Sequence, residues 1–366
     1  MIGRASGYSA IGLDVGSRCI KAVQFARSRK GLNISAIACI ERSGKGERGT
    51  LLAAEAGSLR EVFARQGFRG RAVVLAGAPG RMLSGVMELP PRSSGAPIDQ
   101  IARMELARAN GCPPDSLELS WWELPAGKRA QDGTHVFAVG LRHADAHEAI
   151  DGLEAAGMEV RALDSGTLGI SRLCALLSTS PATPVTGLLD IGWSGTSVAV
   201  LLGTTLVYQR LLPAMGMSHL HSRLVSELLI DAEAAEFVIR RVGVSNELSE
   251  EQRNWELLED ARSVVADHAD SISAELKASL SYATRRYDAT GAASVLASGG
   301  GASVPGLLDR VQRASEERIR AIRPADIAAS PKDPLAATLA MDPRLACAAG
   351  LALEPTAALQ LEAATA

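Results

Sequence analysis

Aromatic residues make up only 4% of the chain. A core with so few rings must be closed by aliphatic, Ala and Gly contacts. That fits close-packed α/β layers better than a β-sandwich. Cysteines are few as well: Cys19, Cys39, Cys112, Cys174 and Cys347. They are scattered, with neither C-x-x-C spacing nor a disulfide framework, and read as reduced core residues of a cytoplasmic protein. No sign of charge dominates, since 38 Lys and Arg stand against 41 Asp and Glu, a net −3. Without a basic excess there are no counterions to release from a nucleic acid, and DNA or RNA binding is a poor reading. No apolar run reaches the roughly 18 residues of a membrane span. The segment Met1–Ala10 has one Arg, and the apolar stretch after it is broken by Asp14, so it does not read as a secretory signal. The sequence after Arg344 lacks Lys and Arg, which an amphipathic membrane anchor would place on its polar face. It reads as a packed helix followed by a disordered tail at 357–366.

What is present is 366 residues, 47% of them hydrophobic, and an internal near-repeat. Residues 11–25 read IGLDVGSRCIKAVQF, and residues 187–202 read GLLDIGWSGTSVAVLL. Each is an apolar strand ending in Asp-x-Gly, a short polar turn and a second strand. Gly16 and Gly192 permit tight turns, and the hydroxyls and N–H groups at the tips can face an anion. Two such units half a chain apart imply two lobes of similar design.

Periodicity and turn residues predict the remaining elements. A strand is expected at Leu32–Ile40, a polar loop at Arg42–Gly49, a helix over Leu51–Gln66 and a strand at Ala72–Ala76. An inserted unit follows, with strands near Arg81–Glu88, Leu117–Leu124 and His135–Leu141. Its helices are expected at Ile98–Asn110 and Ala144–Ala156. Strand Glu159–Leu163 leads through Asp164 to a helix ending near Leu177. The Pro/Thr-rich linker Ser178–Thr186 precedes the second hairpin. His219–Tyr287 is mostly helical. A buried strand, Ser294–Ala297, runs into SGGGASVPG, then a helix over Leu307–Arg318, a loop over Arg323–Pro334 and a closing helix over Arg344–Leu353.

The triple glycine Gly299, Gly300 and Gly301 sits between a strand and a helix, where bare backbone amides attract anions and a flat ligand can approach. It is not G-x-G-x-x-G, because Val304 occupies the last position, and no Walker A motif occurs. Read alone, it is as well a tight turn. The order hairpin, hairpin, strand–GGG–helix is more specific and matches the nucleotide cleft of the actin, Hsp70 and sugar-kinase superfamily. In such a cleft Asp14 and Asp190 stand near phosphates only through an intervening cation, which implies Mg²⁺ held mostly by way of waters. Ser17, Ser194 and Thr196 are phosphate donors. Lys21 reads either as a phosphate ligand or as a solvated lysine. Asp164 reads either as a group that orients an attacking water or as a helix N-cap. His143, Asp145 and His147 lack the further ligand a metal needs and read as a solvated face, as do His219 and His221. No G-x-S-x-G element or Cys–His pairing supports a nucleophile. Of Trp121 and Trp122, one belongs to the core and the other could mark a partner surface.

The residues resemble the PilM family of type IV pilus assembly proteins, and more distantly FtsA, from Ile11 to about Leu353. The resemblance rests on IGLDVGSRCIK, VMELP, IDQIARMELARANGCP, VFAVGLRHADAHEAIDGLEAAGMEVRALD, LLDIGWSGTSVAVLL, VLASGGGASVPGL and LACAAGLAL. It implies an α/β, actin-like (ribonuclease H-like) two-lobed fold with an inserted FtsA/PilM-type subdomain. Subdomain 1A would be 8–70 with 158–184, 1C 71–157, 2A 185–218 with 288–356, and 2B 219–287. It implies an ATP- and Mg²⁺-binding scaffold, with hydrolysis weak or absent. Glu236 lies where the family's nucleoside-contacting Glu is expected; Ile239 stands at the family's lysine position, and Arg240 is next to it, about a third of a turn away. It further implies a cytoplasmic protein peripheral to the inner membrane, tied to it through the N-terminal cytoplasmic peptide of a PilN-type bitopic protein. That peptide would bind between 1A and 1C, and the scaffold would link to the pilus assembly and retraction ATPases. Self-association is left open. The alternatives are an FtsA-like filament-forming division protein, a pseudo-ATPase scaffold of a related secretion or DNA-uptake system, and a sugar or acetate kinase.

Overall fold

The computed structural model describes residues 7–29, 31–42, 49–125, 134–177, 185–287 and 292–353. Most of the Arg42–Gly49 loop and of the Ser178–Thr186 linker, and the whole 357–366 tail, lie outside the described residues.

The chain runs β1 (Ile11–Val15), β2 (Cys19–Ser28), β3 (Gly31–Glu41), α1 (Ala53–Arg65), β4 (Ala72–Ala76), β5 (Leu83–Leu89), α2 (Ile98–Ala109), β6 (Leu117–Glu123), β7 (Thr134–Arg142) and α3 (His143–Ala155). It continues with β8 (Glu159–Asp164), α4 (Gly166–Leu177), β9 (Val185–Ile191), β10 (Thr196–Leu202), β11 (Thr205–Leu212), α5 (Met217–Leu228) and α6 (Ala232–Phe237). It ends with α7 (Glu250–Arg253), α8 (Leu258–Tyr287), β12 (Ala292–Ser298), α9 (Leu307–Ser315), β13 (Ile319–Ala321), α10 (Pro334–Ala340) and α11 (Ala346–Ala352).

Two units form. One collects residues 1–78, 146–177 and 323–366; the other collects 79–145 and 178–322. Each has a five-stranded mixed sheet, ordered β3-β2-β1-β4-β8 in the first unit and β11-β10-β9-β12-β13 in the second. The two orders are the same pattern written twice. On one side of the leading strand the next two strands follow as an antiparallel meander, and two parallel strands complete the other side. The near-repeat in the sequence is therefore a repeat of topology.

In the first unit β1 is buried along its whole length, as expected of a central strand covered on both faces. Its near face packs with Leu59, Phe63, Leu153 and Met158 into one apolar cluster. Helix α11, ACAAGLA, is buried throughout and lies directly on β1. A Cβ on Gly12 would stand 2.0 Å from the Ala348 carbonyl oxygen, and one on Gly350 would stand 1.9 Å from the Gly169 carbonyl oxygen. Alanine and glycine are what let these backbones meet. This explains how a core poor in rings is closed.

Four placements differ from the sequence reading. Helix α3, assigned there to the inserted unit, belongs from residue 146 on to the first unit and packs Leu153 into its apolar cluster. Strand Ala72–Ala76, assigned there to the inserted unit, pairs with β1 and β8 in the first sheet. The closing helix, assigned with the second lobe, packs on β1. The helix expected over Leu307–Arg318 stops at Ser315, because the chain turns through a left-handed Glu316 into β13.

In the second unit a small sheet, β5-β7-β6, carries α2 across one face. The Trp122 indole stacks on Phe137 at 5.1 Å and donates to the Leu206 carbonyl of β11 at 2.9 Å. Trp121 donates to Asp99 at 2.8 Å, with the Arg92 guanidinium over its ring. Both indoles are thus engaged inside the unit, and neither is left as a bare partner patch.

Candidate functional site

The first hairpin carries a buried acid. Asp14 is 2% exposed and lies opposite Lys21 in register. The Lys21 ammonium donates to the Asp14 carboxylate at 2.5 Å. Lys21 is therefore not a solvated lysine. An isolated carboxylate in the sheet would be costly, and this ammonium compensates it. The tip closes by a bond from the Gly16 amide to the Cys19 carbonyl at 3.0 Å. A Cβ on Gly16 would lie 2.9 Å from the Cys19 carbonyl oxygen and 3.0 Å from the Lys21 ammonium nitrogen. Glycine here makes room for the ion pair. Ser17 is half-buried at the tip and Arg18 is exposed.

Beneath the turn lies a pair that the sequence reading did not single out. The Arg42 side chain is fully buried. It donates to both Glu55 oxygens, at 2.7 and 2.9 Å, to the Gly16 carbonyl at 2.8 Å and to the Thr50 carbonyl at 2.9 Å. Glu55 also accepts from the Leu52 amide at the start of α1. Burial pushes the Glu55 carboxyl up. The bonds from Arg42 and Leu52 and the Arg42 charge outweigh burial and hold it below the usual carboxylate range. The one sequence signal was a Glu in the first turn of a helix, which ordinarily marks only a cap.

Asp164 ends β8. One of its carboxylate oxygens accepts from the Ser165 amide at 2.7 Å, and the other is ion-paired with Arg172 of α4. Arg172 also donates to the Gly350 carbonyl at 3.0 Å. Asp164 precedes α4 by two residues and the amide its side chain meets is the adjacent one, while the Ser165 carbonyl accepts the first helical bond, from Gly169 at 2.9 Å.

In the second hairpin, Asp190 of β9 accepts from the Ser298 hydroxyl at 2.9 Å, and Ser298 is its register partner on β12. The second acid and the glycine segment are thus brought together. The glycines have a packing reason that the sequence reading did not foresee. A Cβ on Gly299, at φ 84°, would lie 2.4 Å from the Ile191 carbonyl and 2.7 Å from the Asp190 carboxylate. One on Gly301 would lie 2.1 Å from the Ile191 side chain. Their bare faces are turned to protein, while Gly300 is exposed at the start of a short 3₁₀ turn. Thr196 is fully buried and donates to the Met215 carbonyl at 2.6 Å. Its proton is committed within the fold, so it braces the turn where a phosphate donor was expected. Ser194 is exposed at the tip, and Gly192 is half-buried beside it. The α5 amides of Met217 and Ser218 donate to the Gly192 and Trp193 carbonyls at 3.0 and 2.9 Å.

Glu236 and Arg240 stand on α6 and the π-helical turn that extends it, Val238–Val242. Arg240 donates to Glu236 at 2.5 Å, while Ile239 faces the core, 6% exposed. A π-turn shifts side-chain phase and recurs at functional sites; nothing in the sequence signalled it. The turn ends at Gly243, whose Cβ would lie 2.1 Å from the Pro305 carbonyl. That carbonyl accepts from Val244 at 2.9 Å. The acid–cation pair is therefore anchored to the glycine segment.

Among the described residues no cluster of three or more His, Cys, Asp or Glu could hold a metal. Asp145, of the His143–His147 group, is ion-paired with Arg81 and Arg142. Among the described residues no helix is long and apolar enough to cross a membrane.

A family model described as "Type IV pilus assembly protein PilM" matches residues 12–356. The chain belongs to the PilM family of type IV pilus assembly proteins. Among solved structures, the PilM-PilN type IV pilus biogenesis complex is similar at 22% identity and a TM-score of 0.74, over 94% of this chain and 98% of that one. The ethanolamine utilization protein EutJ from Carboxydothermus hydrogenoformans is similar at 15% identity and a TM-score of 0.54, over 96% of this chain and 90% of that one. No match is found among curated proteins. At these identities the structures establish the fold, which is the α/β actin-like one expected of the PilM family, with its inserted small subdomain.

Proposed function

We propose that the chain is an ATP-binding scaffold of type IV pilus assembly that takes the N-terminal cytoplasmic peptide of a PilN-type membrane protein. The observation that carries this reading is the duplicated sheet with an acid at the same place in each copy, Asp14 on β1 and Asp190 on β9. Family membership and the likeness to a PilM-PilN complex support the partner.

In this reading Asp14, Gly16, Ser17 and Lys21 serve the phosphates from the first hairpin, and Asp190, Gly192 and Ser194 serve them from the second. Gly299, Gly300, Gly301, Glu236 and Arg240 serve the nucleoside. The donor set fits. Lys21 already touches Asp14, so a Mg²⁺ ion would be held there through waters and not by direct coordination of that oxygen. Magnesium would supply charge neutralisation for the phosphates. Lys21 adds a fixed positive charge and Ser17 and Ser194 add donors. Asp164, held by Arg172, is suited to orienting water but not to removing its proton, which goes with slow or absent turnover. Nucleotide affects peptide binding only through differential affinity for conformational states. Links to the pilus motor ATPases, indirect membrane attachment and self-association belong to the same reading.

Calorimetry with Mg·ATP tests it. Asp14→Ala and Asp190→Ala should each weaken binding, and the double variant should abolish it. Wild-type affinity in the double variant would remove the nucleotide reading. A PilN-type N-terminal peptide should bind more tightly with Mg·ATP than without; no binding in either condition would remove the partner.

A further inference from the structure

The first sheet carries two thiols, on β2 and β3, that nucleotide binding does not use. Cys19 opens β2 opposite Glu41, and Cys39 lies on β3 opposite Lys21. The two are therefore diagonal neighbours on one face of the sheet. Both are only half-buried, where the sequence reading placed them in the core; Cys174 and Cys347 are the buried ones. The Cys39 thiol donates to the Cys19 sulfur, and Lys21 and Arg344 add positive charge that Glu41 partly opposes. The bond from Cys39, with those two cations, outweighs burial and brings Cys19 down to about 6. Cys39 is pushed far up by the bond it donates to Cys19, by burial and by the charge of Cys19. One sulfur is thus a half-buried thiolate and its neighbour holds a proton, which is the division of labour of an attacking and a resolving thiol.

We propose that Cys19 and Cys39 form a peroxide-responsive pair that closes to a disulfide beside the tip of the first hairpin. The Cys19 thiolate attacks a peroxide oxygen. An S–O bond forms, the O–O bond breaks, and the leaving oxygen takes a proton to depart as water or alcohol. The Cys39 sulfur then attacks the sulfenic sulfur. An S–S bond forms, the S–O bond breaks, and hydroxide leaves with the Cys39 proton as water. Two thiols lose two electrons and the peroxide gains them. Formation of the neutral sulfenic acid removes the negative charge that kept Cys39 protonated, so the second step follows from the first.

Closure also strains the hairpin. Diagonal neighbours have Cα atoms about 7–8 Å apart, and a disulfide spans at most about 7 Å without backbone movement. The start of β2 is therefore drawn toward β3. The Cys19 carbonyl holds the Gly16 amide, so the pull reaches the turn that carries Ser17. Weakened ATP binding in the oxidised state is the consequence, and this part rests on the nucleotide reading.

The test uses the full chain, reduced, then treated with hydrogen peroxide and mapped by peptide mass spectrometry. A Cys19–Cys39 linked peptide should form and be reversed by dithiothreitol. Before oxidation, iodoacetamide should label Cys19 roughly tenfold faster than half-buried Cys112 at neutral pH. Cys39→Ser should leave Cys19 as a dimedone-trappable sulfenic acid. Equal labelling of Cys19 and Cys112, or no linked peptide, overturns the pair. ATP affinity should fall several-fold on oxidation, recover with dithiothreitol and stay unchanged in peroxide-treated Cys39→Ser. Equal affinity of reduced and oxidised protein overturns the coupling. If the reduced chain binds no ATP, the nucleotide reading falls, and the mapping still decides the disulfide.

Discussion

Arg42 grips Glu55 with two hydrogen bonds while a third holds the Gly16 carbonyl. The pair fastens the first hairpin to the start of α1 from inside the protein. Removing one partner leaves a buried charge uncompensated, which costs about 3–5 kcal/mol. Glu55→Gln and Arg42→Ala should each lower the unfolding free energy measured by urea denaturation by that much. A loss below about 1 kcal/mol, the range of a surface pair, would show that the contact is not closed in solution.

The same pair sets an acid limit. The folded-state Glu55 carboxyl titrates below its unfolded value of about 4.3. Its contribution is therefore full above that value and is lost as the pH falls through the depressed one. Stability of the native chain should drop more steeply below about pH 4 than that of Glu55→Gln. Parallel acid limbs in the two denaturation series would count against the assignment.

Lys21 and Asp14 should behave as a coupled pair. Lys21→Met strands a buried carboxylate, with an expected cost of about 3–5 kcal/mol. Adding Asp14→Asn should recover part of it, giving a coupling energy of about 1 kcal/mol or more in a double-mutant cycle. Strict additivity would mean that the two do not interact.

The contact of α4 with α11 leaves no space at its centre. Gly350→Ala places a methyl on the Gly169 carbonyl, and overpacking of this kind costs about 1–3 kcal/mol. Gly57→Ala, where a Cβ meets nothing within 4 Å in α1, should instead be neutral or stabilising. Equal melting temperatures for the two variants would show that the helices sit further apart.

Glu236 and Arg240 bear on the nucleoside. Under the nucleotide reading, Glu236→Gln should weaken ATP binding and leave triphosphate binding untouched. Equal loss for both ligands would move the pair away from the base and ribose.

Much of this was legible in the residues. Strands buried on both faces, such as IGLDV and GLLDI, announce themselves as apolar runs, and Asp-x-Gly marks where they turn. Three elements were not. Strand β11 keeps Tyr208, Gln209 and Arg210 side by side half-exposed or exposed, which breaks any period of two. Strand β13 is three residues long and exists only because β12 offers an edge. Helix α10 has seven residues and begins at Pro334, so it read as the end of a loop. The repeat singled out Asp14, Asp190 and Ser194, and the structure puts the two acids one residue from the ends of β1 and β9 and Ser194 exposed in the second turn. The burial of Thr196 and the reach of Arg42 to Glu55 depend on which backbones pass behind a turn, and no local spacing encodes that.

Helix α11 covers β1, so nearly the full length of the chain separates the two surfaces that must meet. During synthesis the centre of the first sheet emerges early and stays uncovered until residues 346–352 leave the ribosome. The second unit, drawn from 79–145 and 178–322, is complete before then. The first unit must therefore wait with its apolar strand exposed, which makes its assembly the slow and aggregation-exposed step.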